Sequence, residues 1–181
     1  MKVMEGLEKK VIKKRDVLEV AVTYLSFSDR TIGEIRTYLK RKEYSEAEIE
    51  KAINYLKELQ YVDDKGYAQR YIEQEINRGK GSLKIKNQLR KKGIDEQVLA
   101  ELNEEGYGFS KEDEKKQAWE IAERFYEEVK EDIKIDPDDD FETKREKYKE
   151  KQRAQSKLGR RLISKGYPQE IVFSIINNIF E

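Results

Sequence analysis

The chain has 181 residues with 38 basic and 38 acidic side chains, a formal net charge of zero, and 36% hydrophobic residues. This composition fits one or two small folded domains and lies outside the range typical of wholesale disorder. Because the chain has no cysteine and no histidine, disulfides, thiolate nucleophiles, imidazole chemistry and tetrahedral zinc sites are excluded.

Apolar residues occur only in short runs such as Ile171-Val172-Phe173, whereas a membrane-spanning helix needs about 20 in a row. Residues 1–16 form a basic N-terminal arm in which charges interrupt the apolar residues, so the arm lacks the apolar core of a signal peptide. We therefore expect a cytoplasmic protein without a membrane segment.

Apolar residues recur at spacings of three and four through most of the sequence, and only two prolines occur, which predicts an all-helical fold. The segments from Thr31 to Glu34 and from Ser45 to Glu48 fit the capping box, in which a hydroxyl and a glutamate satisfy the first N–H groups of a helix. Four further residues are predicted N-caps: Asp64, Ser82, Asp95 and Ser110.

An internal repeat organises these helices. A pattern of four apolar positions and one lysine recurs 50 and 123 residues downstream: Ile35, Leu39, Lys42, Tyr44 and Ile49; Ile85, Leu89, Lys92, Ile94 and Leu99; Leu158, Leu162, Lys165, Tyr167 and Val172. Each set spans a helix, a short turn and a second helix. An earlier helix is predicted before each pair, at 17–25, 67–78 and 111–130.

We therefore predict an all-α, elongated and curved array of three tandem three-helix repeats, in which stacking supplies part of the stability that each small unit lacks alone. The third repeat carries a charged insertion near 131–143, with a long basic helix after it. The predicted boundaries after the arm are 17–62 for repeat 1, 63–107 for repeat 2 and 108–181 for repeat 3, with a hinge at Gly106 to Gly108.

The turns inside the repeats contain Gly93 and Gly166, and glycine adopts the left-handed conformation that often ends a helix without a Cβ penalty. Glu43 occupies the equivalent position in repeat 1, where that conformation would cost roughly 1 kcal/mol relative to glycine. Pro168 falls at the edge of a first helical turn, where its missing N–H is harmless.

Two segments superficially resemble ligand-binding loops. The run from Asp136 to Asp140 lacks the alternating ligands, the glycine and the final glutamate of an EF-hand, so we expect a loop and no calcium site. The run from Gly79 to Ser82 lacks the spacing of a phosphate-binding loop and is better explained as a linker and cap. No residue pairing supports nucleophilic catalysis, so we expect no enzymatic activity, no cofactor and no metal.

Charge is strongly segregated along the chain. The segment 78–92 holds seven basic residues and no acid, and the segment 144–161 holds nine basic residues against two acids. In contrast, 95–114 has a net charge of −7 and 120–142 a net charge of −8. Neighbouring cations attract phosphates or an acidic protein surface, although a solvated helix face would look the same.

The basic segments contain the candidate contact residues. In the first, Lys84 and Lys91 lie seven residues apart on one helix face, while Ile85 and Leu89 turn inward. The equivalent helix of repeat 3 supplies a second group. The candidates for partner or DNA binding are Lys84, Lys86, Arg90, Lys91, Lys157, Arg160 and Arg161. For Tyr44, Tyr167 and Trp119, core packing is favoured over base stacking.

Several segments resemble the RecX family of regulatory proteins. They are 30–39, 45–59, the run Tyr61-Val62-Asp63-Asp64-Lys65-Gly66-Tyr67-Ala68, the run Arg78-Gly79-Lys80-Gly81, and 85–94. Their order, spacing and repeat count agree together over the chain from Leu18 onward. The insertion around Pro137 and the glutamate at Glu43 are departures from the family pattern.

This resemblance implies a regulator that binds the RecA filament on single-stranded DNA and modulates, most often inhibits, its ATPase and strand exchange. We expect the chain to be a monomer. Direct contact with single- or double-stranded DNA is compatible with it. Two other functions stay open. One is a direct DNA-binding protein of the helix-turn-helix type that acts without RecA. The other is a scaffold for a different acidic partner.

Overall fold

The computed structural model describes residues 15–107 and 110–181, so the arm up to residue 14 and Gly108 of the predicted hinge lie outside the described residues. Within these ranges the chain forms nine α-helices and no strand, which confirms the all-helical prediction. The helices are α1 (Val17–Leu25), α2 (Ile32–Arg41), α3 (Glu46–Glu58), α4 (Asp64–Asn77), α5 (Ser82–Lys91), α6 (Glu96–Glu104), α7 (Lys111–Ile133), α8 (Phe141–Lys165) and α9 (Gln169–Ile179). None of these described helices combines the length and the hydrophobicity of a membrane-spanning segment.

The chain divides into two compact units, Met1–Val62 and Asp63–Glu181. In the described part of the first unit, α1, α2 and α3 pack around one core that includes Val20, Ile35 and Leu56. The second unit holds two such cores. One lies among α4, α5 and α6, and the other among α7, α8 and α9.

The repeated positions predicted from the sequence are buried in all three cores. Ile35, Ile85 and Leu158 are inaccessible to solvent, and so are Leu39, Leu89 and Leu162. Tyr44, Ile94 and Tyr167 are buried in the turns that follow. The three-helix unit therefore occurs three times in tandem. The boundary residues that separate the units stay a prediction.

The turn between the second and third helix of each unit has the same backbone conformation. Gly93 has φ 80° and Gly166 has φ 91°, and Glu43 adopts φ 64° at the equivalent position. The left-handed conformation therefore reduces stability at Glu43, whereas the glycines of the other two turns adopt it without this loss.

The predicted helix caps are partly correct. Both capping boxes form, at Thr31 and Glu34 and at Ser45 and Glu48, and Asp95 and Ser110 cap α6 and α7. Asp64 was the wrong cap for α4.

The carboxylate of Asp63 accepts from the amide of Gly66 at 2.9 Å, so Asp63 caps α4 and Asp64 lies in its first turn. As a result α4 begins three residues before the predicted start at 67. Ser82 was also wrong as a cap. It is the first residue of α5, whose N-cap is Gly81 with no side-chain hydrogen bond.

The predicted insertion in repeat 3 is a helical hairpin. The long helix α7 runs to Ile133, a loop follows, and α8 returns over 25 residues. The loop is held by its own residues, because Asp139 accepts from the amide of Asp136 at 2.8 Å and forms an ion pair with Lys147 at 2.6 Å. Asp140 caps α8 through the amide of Thr143. These carboxylates stabilise the loop, and no described acidic cluster has the arrangement of a metal site.

Candidate functional site

The predicted contact residues lie on α5 and on the second half of α8. Arg90, Lys91, Lys157, Arg160 and Arg161 are exposed, whereas Lys84 and Lys86 are half-buried. Ile85 and Leu89 face the core, so the predicted division of α5 into an apolar and a basic face is correct. What each cation contacts differs from residue to residue.

Lys84 connects α5 to the C-terminal end of α8. Its ammonium donates to the carbonyl oxygen of Ser164, in the last turn of α8, at 2.8 Å. A cation near a helix C-terminus interacts favourably with the unpaired carbonyls there. Lys84 is therefore engaged in joining repeat 2 to repeat 3.

Backbone hydrogen bonds reinforce this junction. The amide of Gly81 donates to the carbonyl of Lys165 at 2.9 Å, and the amide of Leu83 donates to the carbonyl of Gly166 at 3.1 Å. The free amides at the start of α5 thus meet the free carbonyls at the end of α8, and each helix end satisfies the other.

The close approach at the junction requires glycine on both sides. A Cβ on Gly81 would lie 2.4 Å from the carbonyl oxygen of Gly166, and a Cβ on Gly166 would lie 2.3 Å from the Cβ of Lys84. Neither distance is compatible with van der Waals contact. The junction therefore depends on two residues that the sequence presents only as turn or linker glycines.

A side chain of the third repeat completes the start of α5. The carboxylate of Glu114, on α7, accepts from the amide of Ser82 at 2.7 Å and from its hydroxyl at 3.0 Å. Glu114 is only 8% exposed. It takes the role that the capping residue Thr31 plays within repeat 1, so the cap of α5 comes from a neighbouring repeat.

A second buried carboxylate lies near the end of α4. Glu75 is 1% exposed and forms ion pairs with Arg78, at 2.6 Å, and with Lys80. Burial lowers the pKa of the Lys80 ammonium, and the positive charges of Lys84 and Lys165 lower it further. Positive charge is thus concentrated where repeats 2 and 3 meet.

A cleft of about 620 Å³ opens at this junction between α4, α7 and α8. Four cationic side chains line it, together with two carboxylates: Arg78, Arg124, Arg161 and Lys165 with Glu120 and Glu128. Sequence reasoning selected only Arg161 among them. Arg78 belongs to the basic segment 78–92, but Arg124 lies in a strongly acidic stretch and gave no signal.

At the other end of α5, the same ion pair occurs in two repeats. Arg90 forms a two-pronged ion pair with Glu96, and its second nitrogen lies 3.1 Å from the carboxylate. The hydrogen bond from Arg90 lowers the pKa of Glu96. Fifty residues upstream, Lys40 pairs with Glu46 at 3.0 Å. Arg90 is therefore partly neutralised, whereas no described acidic side chain pairs with the neighbouring Lys91.

The shared lysine of the repeats has a structural contact in each of them. Lys42 lies over the ring of Tyr38 at 5.6 Å, and Lys92 lies over the rings of Tyr67 and Tyr71 at 5.3 and 5.6 Å. Such contacts stabilise a cation by the electron density of the ring face. In repeat 3 the equivalent Lys165 donates to the carbonyl of Gly79.

The candidates on α8 point in different directions. The ammonium of Lys157 lies 5.8 Å from the ring centre of Phe125 on α7, and Arg161 faces the cleft. Arg160 is exposed, and no described residue pairs with it. The structure therefore brings Lys84 and the end of α8 together, and it leaves Lys91 and Arg160 exposed and without a described partner.

Comparison with known proteins identifies the protein family that has this architecture. The family models for the first and second three-helix domains of RecX match residues 18–56 and 63–102. The regulatory protein RecX of Clostridium beijerinckii is 33% identical over 161 residues, which cover 89% of this chain and 67% of that protein. The chain belongs to the RecX family. The RecX of Clostridium botulinum strain Alaska E43 is 30% identical over 171 residues, covering 92% of this chain and 72% of the relative.

Solved RecX structures have the same fold. The crystal structure of RecX from Lactobacillus salivarius superposes with a TM-score of 0.67 at 25% identity, covering 90% of this chain and 94% of that one. A second RecX crystal structure superposes with a TM-score of 0.64 at 24% identity, covering 89% and 70% of the two chains. Family membership identifies the chain as a regulatory protein and confirms the resemblance found in the sequence.

Proposed function

We propose that this RecX family member binds the filament that RecA forms on single-stranded DNA and inhibits its ATPase and strand exchange. The observation that carries the proposal is the match to RecX regulatory proteins over nearly the whole chain. We further propose that the chain acts as a monomer, in the cytoplasm and without catalysis of its own.

The basic surface of α5 and α8 supports this role physically. Lys91 and Arg160 are exposed and no described residue pairs with them, so they are available to a partner, whereas the exposed Arg90 is paired with Glu96. Cations that neutralise phosphates release counterions, and this gives an affinity that falls as salt is raised. We propose contacts to the filament by Lys84, Lys86, Arg90, Lys91, Lys157, Arg160 and Arg161.

The junction between repeats 2 and 3 adds to the argument. The backbone bonds from Gly81 and Leu83, together with the Lys84 contact, tie α5 to the end of α8. The cations of the two helices are therefore held in a fixed relation, which lowers the entropy lost when an extended partner is bound.

The direct test is to titrate the protein into RecA, ATP and single-stranded DNA while following ATP hydrolysis and filament length. We expect hydrolysis to fall and filaments to shorten as the protein is added. The variant K86A/R90A/K91A should inhibit less at moderate salt, while its helical circular dichroism matches that of the parent.

A charge-matched control separates a specific surface from overall charge. The variant K115A/K116A/K134A also removes three cations, all of them exposed, but it removes them from α7 and its C-terminus. It should inhibit like the parent. If both triple variants inhibit as well as the parent, the α5 surface is not the contact. If the parent leaves RecA unaffected but binds duplex DNA tightly and with sequence preference, direct DNA binding without RecA is the correct function.

A further inference from the structure

The first half of α8 carries two aromatic side chains that are not packed in the core. Phe141 is 80% exposed and Tyr148 is 58% exposed. They are seven residues apart, so they lie on the same side of the helix and about 10 Å apart along its axis. This segment belongs to the hairpin that repeats 1 and 2 lack.

Acidic and basic side chains lie on different sides of this half of α8. Arg145 lies four residues after Phe141 and three before Tyr148, which places it beside both rings, and Lys151 lies three residues after Tyr148. Three glutamates share a different stripe of the helix, rotated from the rings by roughly 100° or more. These glutamates are Glu142, Glu146 and Glu150.

Three other nearby cations are already used within the protein. Lys144 donates to the carbonyl of Pro137 at 2.7 Å, Lys147 pairs with Asp139 at 2.6 Å, and Arg153 pairs with Glu150. No described acceptor pairs with Arg145 or Lys151. The two cations beside the exposed rings are therefore available to a partner.

We propose that Phe141, Arg145, Tyr148 and Lys151 form a binding face for a single strand of nucleic acid. Exposed rings next to cations suit this ligand, because unpaired bases stack on aromatic side chains while cations bind the backbone phosphates. Bases in a duplex are already stacked on each other and do not offer their faces. The inference does not depend on the proposed action on RecA, because it concerns direct binding by this chain alone.

The test is binding of a fluorescein-labelled 15-nucleotide oligo(dT) to the full-length protein, without RecA, followed by fluorescence anisotropy. The parent should bind oligo(dT) more tightly than a duplex of the same length. Each of F141A and Y148A should weaken binding at least about fivefold, because stacking of one base is worth about 1 kcal/mol or more. Y148F keeps the ring and should bind like the parent.

A matched control is available on α9. Phe173 is 62% exposed, comparable to the two rings of α8, but α9 contains no basic residue. F173A should therefore leave oligo(dT) binding unchanged. Circular dichroism of every variant should show the helical content of the parent.

The salt dependence of binding tests the phosphate contacts separately from base stacking. R145A/K151A should reduce the slope of log K against log salt by about 1.4, since each phosphate contact to a single strand contributes about 0.7. F141A/Y148A should lower affinity and leave that slope unchanged. The proposal is wrong if the parent does not bind oligo(dT), if duplex is preferred, or if F141A/Y148A binds as tightly as the parent. It is also wrong if F141A/Y148A lowers only RecA inhibition, because the face would then contact protein.

Discussion

The Glu114 carboxylate caps a helix that belongs to a different repeat, accepting hydrogen bonds from both the amide and the hydroxyl of Ser82. Both partners are buried. Because the N-cap Gly81 has no side chain to offer, the start of α5 is complete only when repeat 3 is docked on repeat 2. Folding of α5 and assembly of the junction are therefore coupled.

Glu114→Ala should destabilise the protein by about 1–3 kcal/mol, because it leaves a buried amide and a buried hydroxyl without an acceptor. Urea unfolding followed by circular dichroism measures the loss. A double-mutant cycle with Ser82→Ala should give a coupling energy of at least about 0.5 kcal/mol. Additive effects of the two substitutions would show that the contact contributes nothing to stability.

Gly166→Ala should be more damaging than an ordinary substitution in a left-handed turn. The new Cβ meets the Cβ of Lys84 at 2.3 Å, and the backbone is held at φ 91°. We expect a loss of roughly 2–4 kcal/mol from conformational strain and overpacking together. Urea unfolding measures this loss.

Gly106→Ala is the control for this prediction. Gly106 has φ 76°, but no described atom lies within 4 Å of the position that a Cβ would take, so only the strain of about 1 kcal/mol should remain. Equal losses for the two variants would mean that the junction opens without cost and that the close approach of the repeats is not needed.

The features of the fold that could be predicted from the sequence are those that depend on local residue patterns. The capping boxes at Thr31 and Ser45 combine two residues three positions apart, and the burial of Ile35, Ile85 and Leu158 follows from apolar spacing within one helix. Such signals need no knowledge of distant segments, and they are correct here.

The contacts between repeats could not be predicted in this way. Ser82 has the chemistry of an N-cap, but its hydroxyl bonds to Glu114, 32 residues away. Lys84 looks like any surface lysine until the end of α8 is placed beside it. The charged segments also gave no indication that Arg90 would be neutralised by Glu96 while Lys91 would not. These outcomes depend on which helix ends meet, and a one-dimensional pattern does not contain that information.

Glu43→Gly should stabilise the first unit by roughly 1 kcal/mol, because glycine adopts the observed φ of 64° without a Cβ penalty. Thermal unfolding should show a higher melting temperature. Glu73→Gly makes the same chemical change at an exposed position in the middle of α4, where it should cost about 1 kcal/mol. A Glu43→Gly variant that melts no higher than the parent would contradict the prediction.

The hydroxyl of Tyr167 should make stability depend on alkaline pH. Burial, with a smaller effect of the Glu114 and Glu120 charges, raises the pKa of Tyr167 to about 12. A raised folded-state pKa contributes stability below the unfolded value of about 10, and this contribution is lost as the pH rises from 10 to 12.

Tyr167→Phe removes this titration. Near neutral pH the variant should be less stable than the parent by about 0.5–1.5 kcal/mol, because the hydroxyl donates to the carbonyl of Gly79 at 3.3 Å. Above pH 10 the difference should shrink, since only the parent gains free energy by ionising Tyr167 when it unfolds. Urea unfolding of both proteins from pH 7 to 11.5 measures it. A difference that does not change with pH would contradict the assigned pKa.

Glu96→Gln should strengthen inhibition of RecA if the α5 surface contacts phosphates, because it releases Arg90 from its intramolecular ion pair. We expect the half-inhibitory concentration to fall by roughly two- to fivefold, the scale of an exposed ion pair. ATP hydrolysis on single-stranded DNA at fixed, moderate salt measures it.

Glu46→Gln is the matched control, since Glu46 holds Lys40 and Arg36 at the equivalent position of repeat 1. Both variants add the same charge to the protein, so a change caused by net charge alone would appear in both. A change confined to Glu96→Gln would locate the phosphate contact at Arg90. Weaker inhibition by Glu96→Gln would mean that the ion pair itself, and not the free guanidinium, is what the filament recognises.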